Sequence, residues 1–198
     1  MRSSHYDAMN NALPSLTAEH RGLLLKVASD SIRNGVHENR ALAVDAHEYP
    51  GELRESWAAF VTLTKADQLR GCVGTLDSGL PLVVNVAKYA YAAAFCDSRF
   101  GPLTEGELPA LEIHISVLSK LAPIPCQSEA QLLTRLQPGI DGLLLEEGGN
   151  RGTLLPSVWA NIPQPQEFLR QLKRKAGLPP DYWSATVRVK RYVTCCFP

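Results

Sequence analysis

The chain has 198 residues, with 20 Lys plus Arg against 20 Asp plus Glu. That length suits one domain or two intimate subdomains, since domains commonly run ~100–200 residues. Zero formal charge disfavours a general nucleic-acid or membrane-surface binder, which carries a basic excess. A 45% hydrophobic, 20% charged composition is globular, and a chain this long buries roughly 70% of its unfolded surface without a metal or disulfide staple.

Residues 1–14 read as a flexible tail, polar and closed by Pro14; with no apolar run and no cleavage-type motif, they do not read as a secretory signal. No stretch reaches the ~18 apolar residues of a membrane span, so the cytoplasm is the expected compartment. Thr17 to Asn34 has helical spacing, with Leu24, Val27, Ala28 and Ile32 on one face and Gly35 placed to end it. Residues 36–52 read as irregular, with a turn at Tyr49-Pro50-Gly51. Trp57–Thr64 and Leu69–Leu76 predict a hairpin joined across Lys65-Ala66-Asp67-Gln68. Pro81 opens a helix running to about Phe95, with a small face of Ala87, Ala90 and Ala94.

Leu111–Ser119 alternates cleanly, with Leu111, Ile113, Ile115 and Val117 on one face and Glu112, His114 and Ser116 on the other. Ser128-Glu129-Ala130-Gln131 fits a capping box. Gly142–Glu147 and Arg151–Leu155 flank a Gly148-Gly149-Asn150 turn. Pro156 and Pro165 each suit a helix start, the second helix ending at Gly177, and Thr186–Phe197 reads as one last strand. The expected class is α+β, a mixed or antiparallel sheet flanked by helices.

Three segments could carry chemistry. In Leu69-Arg70-Gly71-Cys72-Val73-Gly74-Thr75-Leu76, Gly71 and Gly74 permit close backbone approach, Arg70 could clamp a carboxylate or phosphate, and Cys72 could act as a nucleophile beside a cation. The packing alternative is a strand against which another backbone closes. The segment lacks the Lys-Ser/Thr ending of a P-loop, and its GxxG string lacks the basic helix of an RNA-binding KH module. In Asp97-Ser98-Arg99-Phe100, Asp97 and Ser98 can satisfy loop backbone groups and Arg99 can pair; the plainer reading is an Asp–Arg contact that stitches the loop. In Arg151-Gly152-Thr153-Leu154-Leu155-Pro156, Arg151 and Thr153 precede a helix start that favours an anion; the plainer reading is a hairpin followed by a helix cap.

His114 reads as structural, and Lys173-Arg174-Lys175 as a solvated helix end. The five cysteines form no CxxC pair, and neither a metal nor a cofactor is expected. Cys195 and Cys196 place one thiol on each face of a sheet.

LRGCVGTL, DSRFGPLTEGELPALEIHISVLS, GIDGLLLEEGGNRGTLLPSVW and FLRQLKRKAGLP together resemble the AMMECR domain family. The nearest branch is the one called AmmeMemoRadiSam system protein A, and the Arg-Gly-Cys-aliphatic-Gly-Thr hexapeptide is its hallmark. The resemblance implies a single domain over residues 15–198, built of two subdomains with a cleft lined by the hallmark. It also implies association with a Memo-like protein and a radical-SAM enzyme, and it brings no settled reaction.

The expected site comprises Cys72 and Asp97 as catalytic candidates, with Arg70, Gly71, Gly74, Thr75, Ser98, Arg99, Arg151 and Thr153 as ligand-binding candidates. The leading function is an accessory component that binds a small anionic ligand or a partner. A thiol-dependent enzyme using Cys72 is the alternative, and nucleic-acid binding is disfavoured by the zero net charge.

Overall fold

The computed structural model describes residues 13–77 and 79–198, so residues 1–12 of the expected tail lie outside the described residues. The chain divides into two compact units, Leu13–Leu118 with Cys195–Pro198, and Ser119–Thr194.

In the first unit, α1 spans Ala18–Glu38. Thr17 caps it, its hydroxyl accepting from the His20 N–H at 3.2 Å, which satisfies one of the donors a helix start leaves open. Leu24, Val27, Ala28, Ser31 and Ile32 are buried at the predicted helical spacing. The helix runs past Gly35, contrary to the expected stop. A Cβ at Gly35 would overlap the rings of Phe95 and Tyr91, so this glycine serves close packing inside the helix. The stop comes at Asn39 in the left-handed conformation (φ 52°).

The expected irregular stretch holds a 3-10 turn at Ala46–Glu48 and a one-turn helix, α2, Gly51–Arg54. β1 (Ala59–Lys65) and β2 (Gln68–Gly74) form the predicted hairpin. Its two-residue turn, Ala66-Asp67, has φ 51° and 60°, the positive values that match the twist of paired strands. After Pro81 comes α3, Leu82–Phe95, and then β3, Leu111–Leu118.

The alternation of β1 decides which face is core. Ala59, Val61 and Leu63 are fully buried, and so are Ile115 and Val117 on β3, all in one cluster with the apolar faces of α1 and α3. The intervening residues Thr62, Thr64 and His114 form the opposite, polar face. Ser31 ties α1 to α3 by donating to the Ala87 carbonyl at 2.7 Å.

In the second unit, β4 is Ala122–Pro123 and α4 is Glu129–Arg135. Ser128 caps α4 by accepting from Gln131 N–H (3.2 Å), while the Gln131 side chain accepts from Gln127 rather than completing the box on Ser128. β5 (Gly142–Glu147) and β6 (Asn150–Leu154) pair with Glu147 opposite Asn150, so the loop is Gly148-Gly149, both at positive φ. Helix α5, Pro165–Lys175, ends before Gly177 at φ 78°. Trp159 and Phe168 stack at 3.7 Å in the core, and the Trp159 indole donates to the Asp141 carbonyl at 2.7 Å.

The expected last strand is two. β7 (Arg188–Tyr192) belongs to a sheet of order β4-β7-β5-β6, and β8 (Thr194–Phe197) to one of order β2-β1-β3-β8. The composition is strand-like throughout, so local sequence carries no mark at Val193 where the chain changes sheets. The class is α+β, with every β1, β2, β3 and β4–β7 pairing of defined register antiparallel.

Lys173 departs from its expected place on a solvated helix end. It is 1% exposed, with Nζ donating to Glu129 Oε2 (2.7 Å) and the Pro180 carbonyl (3.2 Å). A buried ammonium persists only when paired and hydrogen-bonded in this way.

Candidate functional site

The hallmark lies on β2, and its register explains how its arginine is aimed. Thr64 faces Leu69 while Leu63 faces Gly71, so Arg70 is the extra residue of a β-bulge. Freed from the pleat, Arg70 reaches Glu107. Its Nε donates to Oε1 at 2.8 Å and its Nη2 to Oε2 at 3.2 Å, with a further bond from Nη2 to the Gly101 carbonyl at 3.0 Å. Two parallel bonds between planar ions form the strong fork geometry. Arg70 Nη1 is buried with no hydrogen-bond partner. The Arg70 guanidinium, then the Thr104 backbone N–H, hold the Glu107 carboxyl well below the usual carboxylate range.

The next residues on β2 are fixed by packing. A Cβ at Gly71 would overlap the Ala93 carbonyl of α3, and one at Gly74 would overlap Phe60 and the Ala59 carbonyl. The close approach these glycines permit is therefore made by the chain itself. Thr75 ends the strand, its N–H donating to Ala59 O (3.0 Å) and its hydroxyl accepting from Asp77 N–H (2.9 Å).

Cys72 is half-buried on the polar face of the sheet, and the Thr62 hydroxyl donates to its Sγ at 3.2 Å. Its backbone is held by the second motif. The Cys72 N–H donates to Asp97 Oδ2 at 2.9 Å, and Arg99 Nη2 donates to the Cys72 carbonyl at 3.4 Å. Strand β2 is an edge of its sheet. At Cys72 the Asp97–Arg99 pair thus occupies the donor and acceptor that a neighbouring strand would otherwise take.

Asp97 also accepts from Arg99 Nη2 (2.7 Å), Nε (2.9 Å) and backbone N–H (3.2 Å). Its side chain is 6% exposed, that of Arg99 53%. The Arg99 guanidinium and the N–H groups of Cys72 and Arg99 outweigh burial and hold the Asp97 carboxyl far below its ordinary range. Phe100 lies 5.5 Å from the Arg99 guanidinium and 5.8 Å from that of Arg70, while Ser98 is exposed.

The first unit thus brings together Arg70, Cys72, Asp97 and Arg99. Arg151 and Thr153 belong to the second unit. Arg151 is 3.6 Å from Glu146, and the Thr153 hydroxyl donates to the Leu143 carbonyl (2.8 Å) and meets the Tyr192 hydroxyl at 2.7 Å. Tyr192 is fully buried, and burial pushes its phenol well above its ordinary value against the opposing Thr153 bond.

His114 lies across β1 from β2, 3.5 Å from the Thr64 hydroxyl. Thr62 and Glu107 escaped the sequence reading. Glu107 had a local signal, because Thr104-x-x-Glu107 has capping-box spacing and Glu107 Oε2 accepts both the N–H and the hydroxyl of Thr104 at 3.0 Å. Among the described residues, no group of three or more His, Cys, Asp or Glu could hold a metal ion, and no helix is long and apolar enough to cross a membrane.

An α+β chain with two four-stranded sheets, a Cys-bearing bulged edge strand and an Asp-x-Arg clasp defines the class. The AMMECR1 family model matches residues 25–197, and the chain belongs to that family. A protein of Thermofilum pendens is 36% identical over 179 residues, covering 85% of this chain and 84% of that protein. One from Methanothermobacter thermautotrophicus is 34% identical, covering 89% and 93%. The crystal structure of uncharacterized protein PH0010 from Pyrococcus horikoshii has a TM-score of 0.81 and 31% identity, covering 87% of this chain and 88% of that one.

Proposed function

We propose that the hallmark segment is a recognition site and that the chain is a cytoplasmic binding component rather than a catalyst by itself. The observation that carries this reading is the pairing of the two carboxylates that meet the hallmark, Asp97 at the Cys72 backbone and Glu107 at Arg70. Asp97 and Glu107 are each forked by a guanidinium and held ionised. A carboxylate whose proton affinity is lowered this far is a poor general base, because efficient proton transfer needs a pKa near the working pH. Both motifs are spent on rigidity. The Asp97–Arg99 pair fixes the backbone at Cys72 and presents the exposed Arg99, with Phe100 and Ser98 beside it, as a contact surface.

The ligand is a small anionic molecule or a segment of a partner protein. The Memo-like protein and the radical-SAM enzyme implied by the family resemblance are the partners to test. Polyanionic nucleic acid fits poorly with 20 basic and 20 acidic residues. Affinity for the two purified partners, measured by calorimetry with wild type, Arg99→Ala and Arg70→Ala, tests the reading. Loss of affinity in Arg99→Ala supports it, and unchanged affinity in both variants overturns it.

One observation favours a thiol-dependent reading. The Thr62 hydroxyl donates to Cys72 Sγ at 3.2 Å, a contact that orients the half-buried sulfur on the polar face of the sheet. That reading requires Cys72 to alkylate faster than the exposed Cys96 and Cys196; slower labelling excludes it.

A further inference from the structure

Arg70 of the hallmark and Arg99 of the Asp97 motif are each paired with a carboxylate, Glu107 and Asp97. An exposed arginine with no ion pair among the described residues, Arg188, lies beside the tip of the β5–β6 hairpin. A groove of about 590 Å3 there is bordered by Glu146, Glu147, Gly148, Gly149, Asn150, Arg151, Thr186 and Arg188, all within the second unit. That volume is in the range of small-ligand sites, ~300–1,000 Å3.

The sheet register determines which charges share a face. Glu146 pairs with Arg151 on one side and Arg188 on the other, and Lys190 follows two residues on, so these four stand on the same face. Glu146 meets Lys190 at 2.8 Å and Arg151 at 3.6 Å. The Arg188 side chain is exposed and, among the described residues, has neither a hydrogen bond nor an ion pair. Glu147 alternates to the opposite face, where its Oε1 accepts from Ser184 (2.6 Å), Tyr182 (2.8 Å) and Thr186 (2.8 Å). Two arginines, Arg151 and Arg188, and two carboxylates, Glu146 and Glu147, thus border the groove, with Lys190 a third cation on the Glu146 face and Glu147 engaged by three hydroxyls. Gly148 and Gly149 leave open space at this edge of the groove, since a Cβ at either would have no neighbour within 4 Å.

We propose that this groove is an oxyanion site, in which Arg188 and Arg151 bind a multiply charged phosphoryl or carboxylate ligand and Glu146 is the internal anion with which that ligand competes. Guanidinium groups recognise both oxyanions by paired, charge-assisted bonds. The site depends on no residue of the hallmark.

The test uses the full chain at low ionic strength and follows the backbone amides of Gly148, Gly149 and Asn150 by heteronuclear NMR during titration with pyrophosphate and, separately, citrate. Saturable shifts confined to these amides are expected with at least one probe, and the tighter probe identifies the oxyanion. Arg188→Ala and Arg151→Ala should each weaken binding about tenfold, the loss expected of one charged hydrogen-bonding partner. Glu146→Gln should tighten it by freeing Arg151 and Lys190. Arg170→Ala, exposed and removed in sequence, should leave it unchanged. Shifts that rise linearly with both salts, equal weakening by Arg170→Ala, or a loss of affinity in Glu146→Gln would each overturn the assignment.

Discussion

Replacing Asp97 by alanine tests the clasp beneath the hallmark. The carboxylate accepts four hydrogen bonds, one from the Cys72 N–H and three from Arg99. Removing it leaves a partly buried backbone donor on β2 without a partner. An unsatisfied donor of this kind costs about 1–3 kcal/mol. The Arg99 bonds add less, because that side chain is half exposed and water replaces its lost partner. The expected loss is about 2–3 kcal/mol. Urea denaturation at neutral pH measures it, and a loss under about 0.5 kcal/mol would show that the clasp does not hold the strand.

The pH dependence has a definite sign. The folded-state pKa of Asp97 is depressed relative to the unfolded chain. Its contribution is therefore complete above the unfolded value, near 3.9, and is lost as pH falls toward the folded one. Asp97→Asn should flatten stability between about pH 5 and pH 2 relative to wild type. An unchanged acid limb would refute the ion-pair account.

Further expectations concern packing and thiols. Gly71→Ala must displace the Ala93 carbonyl and should destabilise by about 3 kcal/mol or more, read by thermal unfolding, whereas Gly101→Ala, where a Cβ meets nothing within 4 Å, should be nearly neutral. Trp159→Ala opens the stacked core of the second unit and should cost about 3–5 kcal/mol by the same measurement. In a timed alkylation, Cys126 should label slowly, because burial raises its thiol pKa and depletes the thiolate, while the exposed Cys96 and Cys196 label first.

What the sequence disclosed follows the range of each interaction. The alternation of Leu111–Leu118, the Ser128 cap and the two glycine-bearing turn positions are local and were readable. The Asp97–Arg99 contact spans two residues and was also readable. The partner of Arg70 is 37 residues away, and nothing near Arg70 announces that its charge is already balanced. Gly35 misled because intrinsic propensity penalises glycine in helices, while its value here lies in the rings it admits. Lys173 misled for the same kind of reason, since a basic helix end suits solvent unless an acid on another element, here Glu129, takes the ammonium inside. The split of the last strand at Val193 is a property of two sheets, not of the residues between Thr186 and Phe197.

The central claim is that the hallmark binds and does not itself react through its thiol. The direct measurement is turnover of the proposed radical-SAM partner, with the proposed Memo-like partner present, on adding wild-type chain, Cys72→Ser or Arg99→Ala. Serine retains a group that Thr62 can bond. The account predicts that Cys72→Ser supports the wild-type rate while Arg99→Ala binds weakly and fails. A Cys72→Ser chain that binds with wild-type affinity yet abolishes the effect would contradict it.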